Sequence, residues 1–148
     1  MNRPISILLL LVLLCSCSAD KEPTAYETDV YTISFTGDVD AFHGGYCIYY
    51  SSDAYLYDLN HKVIKSYNSD FNQGEEQFFF DYKSDGEKRF IVISGSALCF
   101  TDSEPKYLQG LITREHNGDI VDIATFEIHS FKPGDRPEVD EYSFNFIM

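Results

Sequence analysis

The sequence has no tryptophan and few basic side chains. Eleven Lys and Arg residues stand against 24 Asp and Glu residues, which gives a formal net charge of -13. Proteins that grip phosphate backbones need clustered Lys and Arg, and so do folded domains that adsorb to anionic headgroups. The composition therefore excludes a nucleic-acid partner and argues against adsorption of the folded part to an anionic surface.

Helical periodicity is also missing, because no window of ten or more residues within 26–148 carries the apolar spacing of a helix. Apolar residues nevertheless make up 44% of the chain, with 12 Phe and 11 Tyr. Such a composition is too apolar for a disordered protein and is rich in residues that favour strands. A chain of 148 residues is sufficient for one domain.

The first residues have the pattern of an export signal. Arg3 precedes an apolar run from Ile5 to Leu14 that is interrupted only by Ser6. This run is too short to cross a bilayer core of about 30 Å as a helix, and a basic residue before a short apolar run is typical of a secretory signal. The alternatives are an uncleaved helix and an ordinary secretory signal without lipid.

The four residues Leu14-Cys15-Ser16-Cys17 resemble the bacterial lipobox, in which an apolar residue and two small ones precede a cysteine. The resemblance implies cleavage before Cys17, diacylation of its thiol with fatty acids such as palmitate, and acylation of the new amine. Two or three acyl chains are what stable membrane anchoring needs. We therefore expect a cleaved lipoprotein signal peptide over residues 1–16 and a lipid attachment site at Cys17.

A polar segment follows the cysteine and separates it from the first strand-like run. Its residues "SADKEP" resemble the acidic segment after the lipidated cysteine in surface lipoproteins of Bacteroidetes. This resemblance implies a cell-envelope location at the outer membrane, facing the periplasm or the surface. The expected organisation is a lipidated cysteine and tether over 17–25 and a single folded domain over 26–148.

Short alternating runs bounded by turn residues fill the rest of the chain and predict about eight strands. Asn117-Gly118 between two such runs is a strong hairpin signal. The spacing of the runs is typical of an antiparallel sandwich or barrel. One run, "RFIVISGSALCF", is continuous enough to predict a strand buried on both faces.

The succession of "YTISFTG", "LYDLNHKVI", "RFIVISGSA" and "LQGLITREHNGDIVDIATF" resembles the small transthyretin-like and immunoglobulin-like sandwiches of exported bacterial lipoproteins. It is similar, more weakly, to the small membrane proteins that accompany mycobacterial lipid transporters. The resemblance implies an all-β fold with a single antiparallel β-sandwich, and a role as a transport accessory.

Two cysteines, Cys47 and Cys99, remain after cleavage and acylation. Exported proteins meet oxidising conditions, so we expect a disulfide between them. It would close a loop of about 50 residues and contribute roughly 4 kcal/mol on the entropic model. The alternative is two buried free thiols.

No residues are spaced as transition-metal ligands. His43, His61, His116 and His129 do not pair, and His61 and His116 fall in predicted turns where a solvated side chain is ordinary. Calcium prefers loop oxygens, and two acidic segments offer them; the alternative for both is solvated loop acids. Their oxygen-bearing residues are Asn68, Asp70, Asn72, Glu75 and Glu76, and Asp135, Glu138, Asp140 and Glu141. We predict no metal site and no cofactor.

Catalytic patterns are missing as well, since Gly95-Ser96-Ala97 lacks the full nucleophile elbow. The aromatic runs "CIYY" and "FFF" are explained best by core packing, with sugar stacking as the alternative. We therefore expect a non-enzymatic, lipid-anchored binding or accessory module whose partner is an envelope protein or a glycan. The alternative is an envelope enzyme or inhibitor domain that acts on glycans or proteins.

Overall fold

A computed structural model of the chain describes residues 25–135 and 140–148, and of Asp140 only the backbone. The predicted signal peptide, Cys17 and the tether up to Thr24 lie outside the described residues, as does Glu138. One short 3-10 turn, Val39–Ala41, accompanies the strands. The strands are β1 (Tyr26–Gly37), β2 (His43–Tyr50), β3 (Tyr55–Tyr57), β4 (Val63–Ile64), β5 (Tyr67–Asp70), β6 (Gly74–Lys83), β7 (Phe90–Leu98), β8 (Tyr107–His116), β9 (Asp119–His129) and β10 (Asp140–Ile147).

The strands form two antiparallel sheets, which confirms the all-β prediction. The larger sheet has the order β4-β3-β6-β1-β8-β9, and the smaller has the order β10-β7-β2-β5. Residues 25–135 and 140–148 form ten strands instead of the predicted eight or so. One reason is that Tyr67–Asp70, interpreted from its acids as part of a loop, pairs with β2 as an edge strand.

The core lies between the sheets and follows the alternation of the sequence. Tyr31, Ile33 and Phe35 of β1 are buried and face the smaller sheet. Rings meet across the interface: Phe126 of β9 stacks on Tyr142 of β10 with centroids 3.9 Å apart. Each fully buried large apolar side chain stabilises the fold by about 1.5–3 kcal/mol.

Strand β7 corrects one prediction, because only one of its faces is buried. Ile91, Ile93 and Ala97 are buried, whereas the alternate residues Val92 and Ser94 are half-exposed. Antiparallel sheets tolerate one solvated face, and here Ser94 and Ser96 lie on that face beside Val92. The continuous apolar run predicted burial of both faces, whereas the structure follows the alternation within the run and buries one face.

The hairpin between β8 and β9 confirms the prediction at Asn117-Gly118. Asn117 has φ 52° and Gly118 has φ 88°, and two successive positive φ values are those of a type I′ turn. His61, with φ 56°, occupies the predicted turn between β3 and β4. Within the described residues no helix is long and apolar enough to cross a membrane.

The two cysteines are separate free thiols, so the predicted disulfide is wrong for this fold. Cys47 lies opposite Ser94 in the ladder between β2 and β7, and Cys99 follows five residues further along, beyond the end of β7. At about 3.3 Å per residue this offset exceeds the Cα separation of about 7 Å that a bridge permits. Cys99 also points into the core, whereas Cys47 alternates with the inward Tyr46 and Ile48.

Candidate functional site

A trough of about 660 Å³ lies on the outer face of the six-stranded sheet. Strands β1, β8 and β9 supply its walls in register, because Ser34 lies opposite Leu111 and Leu111 opposite Thr125. Thr36, Gln109 and Glu127 form the next row in the same way. We call these six residues the hydroxyl trough; Gly110 and Phe126 complete its lining.

The hydroxyl trough offers mainly neutral hydrogen-bonding groups, together with one carboxylate. Three hydroxyls, an amide and a carboxylate surround one aliphatic side chain, Leu111, which is 40% exposed. Gln109 Nε2 donates to Glu127 Oε2 over 2.8 Å, and this bond links β8 and β9 across the trough. Its lining includes no Lys, Arg or His, so nothing in it favours a phosphate or sulfate ligand.

Gly110 supports this site from beneath. A Cβ on Gly110 would lie 2.0 Å from Cε1 of Phe126, so any side chain there would displace the ring. Phe126 in turn stacks on Tyr142 of the other sheet. A glycine in mid-strand is usually a sign of close approach, and here it lets β8 and β9 keep the trough's rows in register.

A second cluster of polar side chains lies inside the opposite end of the same sheet. The Asp29 carboxylate is completely buried, 2.6 Å from Nε of Arg114 and 2.6 Å from Nδ1 of His116. Tyr82 donates weakly to Asp29 over 3.5 Å and to Glu27 over 3.1 Å. We call these five residues the polar cluster; all of them except Asp29 line a cavity of about 370 Å³.

The environment shifts the pKa values of Glu27 and Tyr82 in the polar cluster. Hydrogen bonds from Ser84 and Tyr82 lower the pKa of Glu27 below its ordinary value of 4.5. Burial, together with the charges of Asp29 and Glu27, raises the pKa of Tyr82 to about 12. Both shifts hold the groups in their ordinary charge states at neutral pH, Glu27 as a carboxylate and Tyr82 as a phenol.

The polar cluster is not arranged for nucleophilic catalysis. The Ser84 hydroxyl donates to Glu27 Oε1 over 2.5 Å, and Nε2 of His116 lies 4.0 Å from Glu27 Oε2. A serine nucleophile needs its hydroxyl directed at a base such as a histidine, and a general acid needs a raised pKa. Glu27 lies between Ser84 and His116, and its pKa is lowered rather than raised. The geometry is therefore that of an ion-pair network at the end of the core.

The acidic segments weighed as calcium loops are largely strand residues. Asn68 and Asp70 lie in β5 and Glu75 and Glu76 in β6. Glu76 accepts hydrogen bonds from Tyr46, at 2.6 Å, and from Tyr67. Among the residues that the structure describes, no three His, Cys, Asp or Glu side chains are grouped to hold a metal ion.

The remaining predicted site residues are distributed as follows. Cys17 lies outside the described residues, and Ser96 lies on the outer face of the smaller sheet. Asp135 accepts from the backbone N–H of Lys132 over 3.0 Å and closes a turn. His116 corrects its interpretation as a solvated turn residue, since it ends β8 and contacts Asp29.

Sequence reasoning missed both the hydroxyl trough and the polar cluster. A signal for the cluster was present, because the inward phase of Tyr31, Ile33 and Phe35 extends back to Asp29 and Glu27. An acid in the buried phase of a strand requires a cationic or hydrogen-bonding partner. The trough had no such signal, since Ser and Thr on an outward face are ordinary.

Comparisons with known proteins place the fold among uncharacterised proteins of Bacteroides. No family model matches the chain, and no curated protein matches it either. The fold is similar to the crystal structure of a DUF4425 family protein from Bacteroides ovatus, with a TM-score of 0.60 and 13% identity over 83% of this chain and 96% of that one. It is also similar to a domain of unknown function, DUF4425, from Bacteroides vulgatus, with a TM-score of 0.55 and 17% identity over 83% and 95% of the two chains.

Proposed function

We propose that this protein is a lipid-anchored, non-enzymatic binding module of the cell envelope, and that it binds its partner in the hydroxyl trough. The observation that carries the proposal is the trough itself, a concavity of about 660 Å³ with aligned hydroxyl, amide and carboxylate groups. Binding sites commonly combine an apolar surface with a few placed polar groups, and Leu111 supplies the apolar surface here.

The chemistry of the trough favours a neutral, hydroxyl-rich ligand, that is, a glycan of the envelope. Hydroxyls, amides and carboxylates exchange hydrogen bonds with sugar hydroxyls, and the formal charge of -13 opposes polyanions. Tyr57 and Phe79, both half-buried, lie opposite each other on the same outer face, and aromatic faces can stack on apolar faces of a ligand. A protein partner is the other ligand class that this face could serve.

The envelope location is proposed from the sequence. The lipobox-like residues Leu14 to Cys17 and the short apolar run before them support export and acylation of Cys17. The polar tether and the likeness in fold to Bacteroides proteins are compatible with an outer-membrane lipoprotein. Anchoring by two or three acyl chains would concentrate the module at the membrane.

The alternative, an envelope enzyme or inhibitor domain, rests on the polar cluster and its cavity. That cavity is lined by His116, Tyr82 and Arg114, and His116 contacts the buried Asp29. Its histidine faces a carboxylate rather than a nucleophile, and its shifted acid has a lowered pKa. The binding module is therefore the better supported function.

Site-specific photocrosslinking in intact cells tests the proposal. A benzophenone amino acid replaces Leu111 in the hydroxyl trough, and in a matched control it replaces Asn145, which is exposed on the outer face of the smaller sheet. We expect a glycan adduct from position 111 and none from position 145. Equal adducts, or none from position 111, would exclude the trough as the binding site, and a protein adduct from position 111 alone would replace the glycan by a protein partner.

A further inference from the structure

The exposed apolar side chains are concentrated at one end of the two-sheet domain. We call this the tether end, because β1 begins there at Tyr26, nine residues after Cys17. Seven of the thirteen large apolar side chains that are exposed in the described residues lie there. They form what we call the apolar rim: Tyr26, Tyr49, Tyr55, Phe90, Ile120, Val121 and Ile147.

The strand register places five of these seven residues at the tether end. Ile147, the last residue of β10, lies opposite Phe90, the first residue of β7. Tyr49 lies opposite Val92, one row further in. Tyr26 and Tyr55 begin β1 and β3 in the other sheet. The short connections that carry the chain between the sheets, at 51–54 and 84–89, bring the two sets to one end of the molecule.

The centre of this end is polar and ion-paired, with acids in excess, since Arg89 faces Asp53, Asp85 and Glu87. The Arg89 side chain is 2% exposed and lies 2.6 Å from Asp53 and 2.5 Å from Asp85. The apolar rim therefore lies around an ion-paired centre. Tyrosine is enriched at the boundary between water and lipid, and apolar side chains such as Phe enter the boundary between headgroups and acyl chains.

We propose that the apolar rim contacts the zwitterionic phospholipid surface in which the Cys17 acyl chains are inserted. This inference rests on the proposed anchoring. Nine residues span at most about 30 Å, which is less than the length of about 40 Å expected for the twelve residues of β1. The covalent link thus restricts the tether end to the neighbourhood of the bilayer, where a weak affinity is effective because the local concentration is high.

The net charge of the chain determines which kind of lipid surface the apolar rim can contact. The chain carries a formal net charge of -13, and an anionic surface would repel it, so the rim fits neutral headgroups. The same arrangement keeps the hydroxyl trough away from the lipid. Thr36, Gln109 and Glu127 lie toward the ends of β1 and β9 and the start of β8, which is the opposite end of the domain.

The absence of tryptophan makes the test direct, because any introduced tryptophan is a single fluorescent reporter. Tyr49→Trp places it on the apolar rim, where the native side chain is 60% exposed, and Phe100→Trp places it at the opposite end, where the native side chain is 46% exposed. Both replace an exposed aromatic residue with another. The mature lipidated protein is reconstituted in phosphatidylcholine vesicles with or without bromine on the acyl chains.

We expect Tyr49→Trp emission to move to shorter wavelength and to be quenched by the brominated chains, while Phe100→Trp emission is unchanged. Flotation with the vesicles distinguishes a failure of the lipid anchor from a failure of the contact between the apolar rim and the lipid. A protein that does not float is not anchored, and the proposed function fails with it. A protein that floats but gives equal or no quenching for the two variants overturns the inference, as does a blue shift without quenching, which would place protein rather than lipid on the rim.

Discussion

The Asp29 carboxylate lies directly across the β1–β8 ladder from His116, with Oδ1 2.6 Å from Nδ1, and solvent does not reach it. Its other oxygen lies 2.6 Å from Nε of Arg114. A buried carboxylate is tolerated only when cations and hydrogen bonds compensate for its lost hydration. The packing at this end of the core thus depends on Asp29, an acid that lies within an alternating run of the sequence.

Removing the charge of Asp29 should weaken the fold strongly. Asp29→Asn leaves Arg114, whose side chain is 13% exposed, without its buried partner, and we expect a loss of about 3–5 kcal/mol in the free energy of unfolding. Asp122→Asn is the matched control, because Asp122 contacts the same arginine at 2.8 Å but is 46% exposed. That variant should lose less than about 1 kcal/mol, as measured by denaturant unfolding. Equal losses of unfolding free energy in the two variants would mean that the buried Asp29–Arg114 pair is not the source of the lost stability.

Glu27 should make stability depend on acid pH. Its pKa in the folded state is lowered by hydrogen bonds from Ser84 and Tyr82, so its contribution is present above the ordinary value of 4.5 and is lost as the pH falls through the lowered pKa. Glu27→Gln should make the free energy of unfolding depend less on pH below about pH 4.5. Glu104→Gln, in an exposed loop, should leave the profile as in the wild type; if both variants follow the wild-type profile, the shift at Glu27 is absent.

The elements predicted from the sequence are those whose signal is local. The alternation of Tyr31, Ile33 and Phe35 and the turn at Asn117-Gly118 depend only on neighbours in the chain, and both are present. Strand β5 was missed because its residues are polar, and it is held by pairing with β2 at a distance in sequence. The hydroxyl trough was missed for the same reason, since three strands must be aligned before its rows exist.

The cysteines illustrate the same limit, because their predicted pairing depended on a register that the sequence does not contain. The structure instead predicts two thiols of unequal reactivity. Burial raises the pKa of the Cys99 thiol, whereas Cys47 is half-buried. Iodoacetamide should modify Cys47 first in the native mature domain and both thiols after denaturation without reductant, as read by mass spectrometry. If the thiols of the denatured, unreduced protein resist alkylation, the disulfide predicted from the sequence is present.

Gly110 should tolerate no side chain while Phe126 is present. Gly110→Ala puts a Cβ 2.0 Å from the ring, and such overpacking costs about 1–3 kcal/mol of unfolding free energy. In a Phe126→Ala background the ring is gone, so the added methyl should cost little. A double-mutant cycle by thermal or denaturant unfolding measures the coupling. Additive effects would show that the glycine is needed for another reason.

The intact mass of the protein purified from the envelope tests the account most directly, because both the binding module and the membrane contact require the lipid anchor. We predict a mature chain that begins at Cys17 and carries a diacylglycerol on its thiol, with a further acyl chain on its amine where that step occurs. Cys17→Ser should yield the uncut, unlipidated precursor. A wild-type protein that begins at another residue without lipid, or that retains Met1, would contradict the central claim.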